Sequence, residues 1–145
     1  MLNFGVPTDN WRIQCQRSGG NNAVWHIFGD SRLSKTAKNF IETAGQNGNQ
    51  IGISAITLVE LVYLIEKGRI AAESFTRLAS TLDDSAAIFV EIPVDLSIAR
   101  ALSRVIGAQI PDMPDRIIAA TALALNVPII SRDAKIQQST LQTIW

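Results

Sequence analysis

From residue 34 onward, short apolar runs alternate with stretches in which apolar residues recur every three or four positions. The runs "IGISAI" (51–56), "AIFVEIPV" (87–94) and "PIIS" (128–131) predict buried strands, and "LQTIW" (141–145) predicts a last one. The stretches between them predict helices. "SKTAKNFIETAG" opens on Ser34 as N-cap and stops at Gly45. "TLVELVYLIEKG" opens on Thr57 and stops at Gly68, and "AAESFTRLASTL" follows it. "DLSIARALSRVIG" opens on Asp95 and stops at Gly107. "PDRIIAATALALN" (114–126) is apolar almost all round, which predicts a buried helix ended by Pro128. Short apolar strands alternating with helices imply an α/β fold with a mostly parallel sheet covered on both faces.

The first 24 residues break the pattern. Within them only "WRIQCQ" (11–16) alternates apolar and polar, which suits an edge strand at most. An α/β fold usually opens on a central, doubly buried strand, and this segment does not read as one.

Composition narrows the chemistry. The chain has 145 residues, enough for one ordinary domain, and 13 basic against 13 acidic side chains. With no net charge there is no global field to attract nucleic acid, so any such binding needs a local patch. A single Cys and a single His exclude a disulfide framework, a Cys/His zinc site and a Cys–His nucleophile pair. His26, between Trp25 and Phe28, reads as packing. With no apolar run near 20 residues and no signal-like start, the expectation is a cytoplasmic protein without a membrane span.

Carboxylates remain. In open parallel sheets, sites form beyond the carboxyl ends of the strands, and three acids follow such points: Glu60, Asp115 and Asp133. Each has a plain structural reading. Glu60 would close a capping box with Thr57, Asp115 would cap its helix, and Asp133 would cap the turn at Ala134. Asp112 reads as structural, Asp30 as a turn residue, and Glu66, Glu73 and Glu91 as solvated faces. Taken together, three clustered carboxylates repel one another unless a cation neutralises them, and a hard ion with oxygen ligands, Mg²⁺ or Mn²⁺, would do so.

Three linked stretches, "WHIFGDSRLSKTAK" (25–38), "IGISAITLVELVYLIEKGRI" (51–70) and "PDRIIAATALALNVPIISRDAKI" (114–136), resemble the PIN-domain family, in particular toxin ribonucleases of the VapC type. The resemblance implies a three-layer α/β/α fold around a central, mostly parallel sheet, spanning 25–145 behind an atypical segment 1–24. It implies a pocket in which Glu60, Asp115 and Asp133 bind Mg²⁺ or Mn²⁺ and hydrolyse RNA, with Ser131 as the supporting hydroxyl. It also implies a cognate antitoxin and a homodimer. Arg116, Arg132 and Lys135 flank the acids and are candidate RNA contacts. The family's first acid falls on Gly19 or Gly20, and the usual first strand is missing. A weakened nuclease, and a less stable one, is therefore expected. The alternative function is a catalytically impaired PIN domain that only binds an antitoxin or its own copy. A small doubly wound binding domain fits less well, because no glycine-rich phosphate loop is present.

Overall fold

The computed structural model describes residues 11–14, 29–105 and 107–145. Its strands are β1 (Trp11–Gln14), β2 (Gln50–Ser54), β3 (Phe89–Ile92), β4 (Ile129–Ile130) and β5 (Thr143–Ile144). Its helices are α1 (Lys35–Gln46), α2 (Ala55–Glu66), α3 (Glu73–Asp83), α4 (Leu96–Leu102), α5 (Met113–Leu125) and the single turn α6 (Ala134–Gln137). The five strands form one parallel sheet in the order β3-β2-β1-β4-β5.

Strand pleating divides the core in two. Ile51, Ile53, Phe89 and Ile130 face one side, where Ala37, Ile41, Leu61 and Leu78 bring in α1, α2 and α3. Ile92 and Ile129 face the other, against Ile98 and Ala101 of α4 and Ile118, Ala119 and Ala122 of α5. This is the three-layer α/β/α arrangement expected, and α5 is as deeply placed as its sequence suggested. Among the described residues, no helix is long and apolar enough to cross a membrane.

The main departure concerns β1. "WRIQCQ" suggested an edge strand at most, but residues 11–14 lie at the centre of the sheet. Trp11–Gln14 pair with Gln50–Ile53 on one side, and Ile13 and Gln14 pair with Ile129 and Ile130 on the other. Parallel pairing asks only for backbone donors and acceptors, which these residues supply whatever their side chains. The place of the usual first strand, read as missing from the sequence, is thus taken by β1. The positions assigned to the family's first acid, Gly19 and Gly20, lie outside the described residues, as do Cys15, Trp25 and His26.

Helix boundaries shift where two cap-type residues compete. α2 begins at Ala55, directly after β2, so Ser54 and not Thr57 holds the N-cap position. α4 keeps Asp95 as its cap, with Oδ1 accepting from the Ser97 and Ile98 amides, but it ends at Leu102 rather than running to Gly107. α2 does stop before Gly68, which takes φ +68, a conformation that costs glycine least.

Gly45 lies inside α1, not past its end. A Cβ there would stand 2.9 Å from Cγ2 of Ile88, a branched side chain with little freedom to retreat. Gly45→Ala, which in an open helix interior would stabilise by roughly 0.5–1 kcal/mol, is expected here to destabilise by about 1–3 kcal/mol. A thermal melt checks the sign, and a raised midpoint would refute the close contact.

Candidate active site at the carboxyl end of the sheet

From β1 the chain builds outward through β2 to β3, whereas β4 and β5 extend the sheet the other way. That reversal opens a crevice beyond the carboxyl ends of β1 and its neighbours. Ile53 and Ile130 both stand level with Gln14. With strands roughly 4.8 Å apart, the ends of β2 and β4 are about 10 Å apart across β1. The next residue of β2 leads into α2 and Glu60, and the next residues of β4 lead to Asp133. α5 feeds into the start of β4 through Val127 and Pro128, so it runs back against the strands, and its first turn, with Asp115, returns to the carboxyl side. It packs on β1 and on α2. All three predicted acids thus come from elements that adjoin the end of β1.

On α2, Ser54 is the N-cap residue but its side chain makes no cap bond. The Ser54 Oγ, Thr57 Oγ1 and Glu60 Oε2 atoms are all buried and have no hydrogen-bond partner among the described residues. The capping box expected between Thr57 and Glu60 is not formed, because the helix starts three residues too early for it. Spaced by three, these residues share one side of the helix start. Burial, and after it the nearby charge of Asp112, push the Glu60 carboxyl up to about 7.

That shift has a defined sign. Between the ordinary 4.5 and about 7, the folded chain holds a proton on Glu60 that the unfolded chain has released. Stability contributed by this group therefore falls as pH rises through the window and is level above it. Glu60→Gln escapes the loss, so without added metal its advantage in melting temperature should be larger at pH 8 than at pH 5. An equal difference at both pH values would contradict it.

At α5, Asp112 and not Asp115 is the N-cap: its Oδ2 accepts from the Asp115 amide at 3.3 Å, and Pro114 occupies the first turn. Asp112 is exposed, whereas Asp115 is only 3% exposed. The structural reading of Asp115 as a cap is thereby removed; the cap is Asp112, which fits its reading as structural.

Ser131 and Asp133 form a compact turn after β4. Ser131 Oγ accepts from the Asp133 amide at 3.0 Å, and Asp133 Oδ1 accepts from the Lys135 and Ile136 amides. Asp133 does cap α6, as its plain reading held, yet it is 3% exposed and its buried Oδ2 takes no part in that cap. Arg132 and Lys135 are exposed beside it. Arg116, a candidate RNA contact, has its Nη2 donating to the carbonyls of Leu102, where α4 ends, and of Val105 beyond it. Asp30 is held in a turn by Arg32, whose side chain and amide donate to it and keep its carboxyl down at about 2.

The donor set is all oxygen, and the buried oxygens of Ser54, Thr57 and Glu60 have no described donor to satisfy them. Such a set suits a hard divalent cation. Among the described residues, no three or more His, Cys, Asp or Glu side chains stand close enough together to enclose one. The fit is therefore to an ion such as Mg²⁺, held by one or two carboxylates and otherwise by water and substrate oxygens.

The chain matches the PIN domain over residues 21–139. The chain belongs to the PIN-domain family. Among solved structures, the PIN chain is similar to a chain in the crystal structure of VapBC2 from Rickettsia felis bound to a DNA fragment from its promoter. The TM-score is 0.64, at 18% identity, over 92% of this chain and 96% of that one. At that identity the likeness establishes a shared fold. No curated protein matches the chain.

Two contributors to this PIN site escaped the sequence reading. The hydroxyl of Ser54 was hidden because strand runs into helix without a loop. The nearness of Asp112 to Glu60 joins residues 52 apart in sequence, which no local pattern signals.

Proposed function

We propose that the chain is a divalent-cation-dependent endoribonuclease of the toxin type from a toxin–antitoxin pair. The observation that carries this reading is the arrival of Glu60, Asp115 and Asp133, in a PIN-family chain, on the three elements that surround the end of β1. Glu60 and Asp115 would hold Mg²⁺ or Mn²⁺, with Asp133 opposite them across the crevice. A bound ion of this kind lowers the pKa of a water and neutralises charge developing on a phosphodiester. Asp133 is fixed by its turn, so its carboxylate can orient an attacking water without rearranging, and Ser131 holds that turn. Arg132 and Lys135, exposed at the rim, contact backbone phosphates of the RNA. The test is cleavage of a panel of RNAs by purified protein with Mg²⁺, with Mn²⁺ and with EDTA. Cleavage that EDTA leaves intact would refute metal dependence, and no cleavage with either ion would refute the nuclease.

The partner is an antitoxin protein, and the chain forms a homodimer in the cell's cytoplasm. Supporting both contacts, Val59, Val62 and Tyr63 lie exposed at helical spacing on α2. Sedimentation of the chain alone and with the product of the neighbouring gene reads both; a monomer unchanged by either concentration or that product opposes them. One observation favours the binding-only alternative: the described acids do not close into a three-carboxylate cluster. An RNA-inert chain that still binds its antitoxin would decide for that alternative.

A further inference from the structure

We propose that Arg116 is a positioning residue, whose guanidinium bonds the carbonyls ending α4, lies against Gly107, and thereby fixes where the first turn of α5 places Asp115. This rests on the reading of Asp115 as a cation ligand.

The connection between α4 and α5 is tied to α5 at both of its ends. At its start, Arg116 Nη2 donates to the Val105 carbonyl at 3.1 Å and to the Leu102 carbonyl at 3.4 Å. These carbonyls lie at and just past a helix terminus, where partial negative charge favours a cation; the Leu102 carbonyl also accepts from the Val105 amide at 3.1 Å. At its finish, Asp112 receives two amides of α5: that of Asp115 on its side chain and that of Arg116 on its carbonyl, the latter at 2.9 Å. In the middle, Gly107 leaves room for the guanidinium. A Cβ there would stand 3.3 Å from Nη1 and 3.4 Å from Cζ of Arg116. Adjacent residues on a helix point about 100° apart. Asp115 is buried while its neighbour reaches α4, so the two side chains pull one helical turn in two directions. Without the Arg116 contacts, the connection would keep its tie at Asp112 and its buried Val105 and Ile110 side chains, but it would lose the guanidinium link from α5 to the end of α4, and the turn carrying Asp115 would gain freedom to shift along its axis.

A charged surface arginine would predict something different: loss of RNA affinity with metal binding intact. The experiment compares Arg116→Met, Arg116→Lys and Gly107→Ala with the parent chain. One readout is amide hydrogen exchange, resolved over 107–116 and over β2 and β3. The other is Mn²⁺ binding by titration calorimetry without RNA. Arg116→Met is expected to speed exchange at 107–116 by about tenfold with β2 and β3 unchanged, and to weaken Mn²⁺ binding about tenfold, as loss of an outer support commonly does. Arg116→Lys should fall between, since an ammonium can reach the same carbonyls but cannot lie flat beside Gly107. Gly107→Ala should reproduce a milder form. The proposal is overturned if exchange and Mn²⁺ affinity both stay at parental values in Arg116→Met, or if exchange rises evenly over the whole chain. If Arg116→Met does not fold, Arg116→Lys and Gly107→Ala decide by the same criteria. A parent chain that binds no Mn²⁺ refutes the metal site itself, while the exchange pattern still decides whether Arg116 holds the turn.

Discussion

Asp115→Asn is expected to cut Mg²⁺-dependent RNA cleavage by on the order of 100- to 1000-fold, the scale of losing several kcal/mol of charge stabilisation at a metal site. Asp115 is nearly fully buried and is not the helix cap, so capping does not account for its place there. Asparagine keeps its size and one acceptor oxygen but gives up the charge that binds a cation. Asp112→Asn is the matched control. Asparagine caps helices as well as aspartate does, so α5 should be preserved, while removal of the Asp112 charge should let the Glu60 carboxyl fall back toward its ordinary range. Cleavage rates of the two variants, with circular dichroism to show that both are folded, make the comparison. If Asp112→Asn proves the more damaging, the assignment of Asp115 is wrong.

The second large effect is on stability. β4 is only two residues long, and both are fully buried, Ile129 in one core and Ile130 in the other. Truncating either to alanine should cost about 2–5 kcal/mol, the range for a buried isoleucine whose cavity cannot collapse. At this size, each kcal/mol corresponds to roughly 2–4 °C of melting temperature. Because the two side chains face opposite sides of the sheet, the losses should add, and the double variant should approach the whole stability of an ordinary domain, about 5–15 kcal/mol. Val94→Ala, at an exposed position, should change stability by less than about 0.5 kcal/mol. Urea melts of the four chains test this; a double variant no worse than either single one would show that the two cores are not independent.

Legibility in the sequence followed how local each determinant is. β2, β3 and β4 announced themselves because parallel strands buried on both faces need continuous apolar runs, and α5 did so because a helix packed on the sheet and on two neighbouring helices has little polar face. β1 did not, because Trp11, Arg12, Ile13 and Gln14 carry no such run, and its place in the sheet is set by pairing with backbone far along the chain. The start of α2 was misplaced because Ser54 and Thr57 are both good caps, and only the position of β2 decides between them. Of the candidate site, the three acids were visible from their positions after strands and from the family resemblance. The electrostatic coupling of Glu60 to Asp112 and the turning of Arg116 toward α4 were not, since both depend on how helices pack.

The strand order carries a consequence for synthesis. The centre of the sheet is completed only when Ile13 meets Ile129 and Gln14 meets Ile130, contacts that join opposite ends of the chain. Closing so long a loop is slow, and it cannot begin on the ribosome until residue 130 has emerged. Glu60 is made early, Asp115 late and Asp133 later still, so the crevice that gathers them forms as one of the last events of folding. A nascent chain would therefore carry no assembled site until the residues around 130 to 133 have left the ribosome.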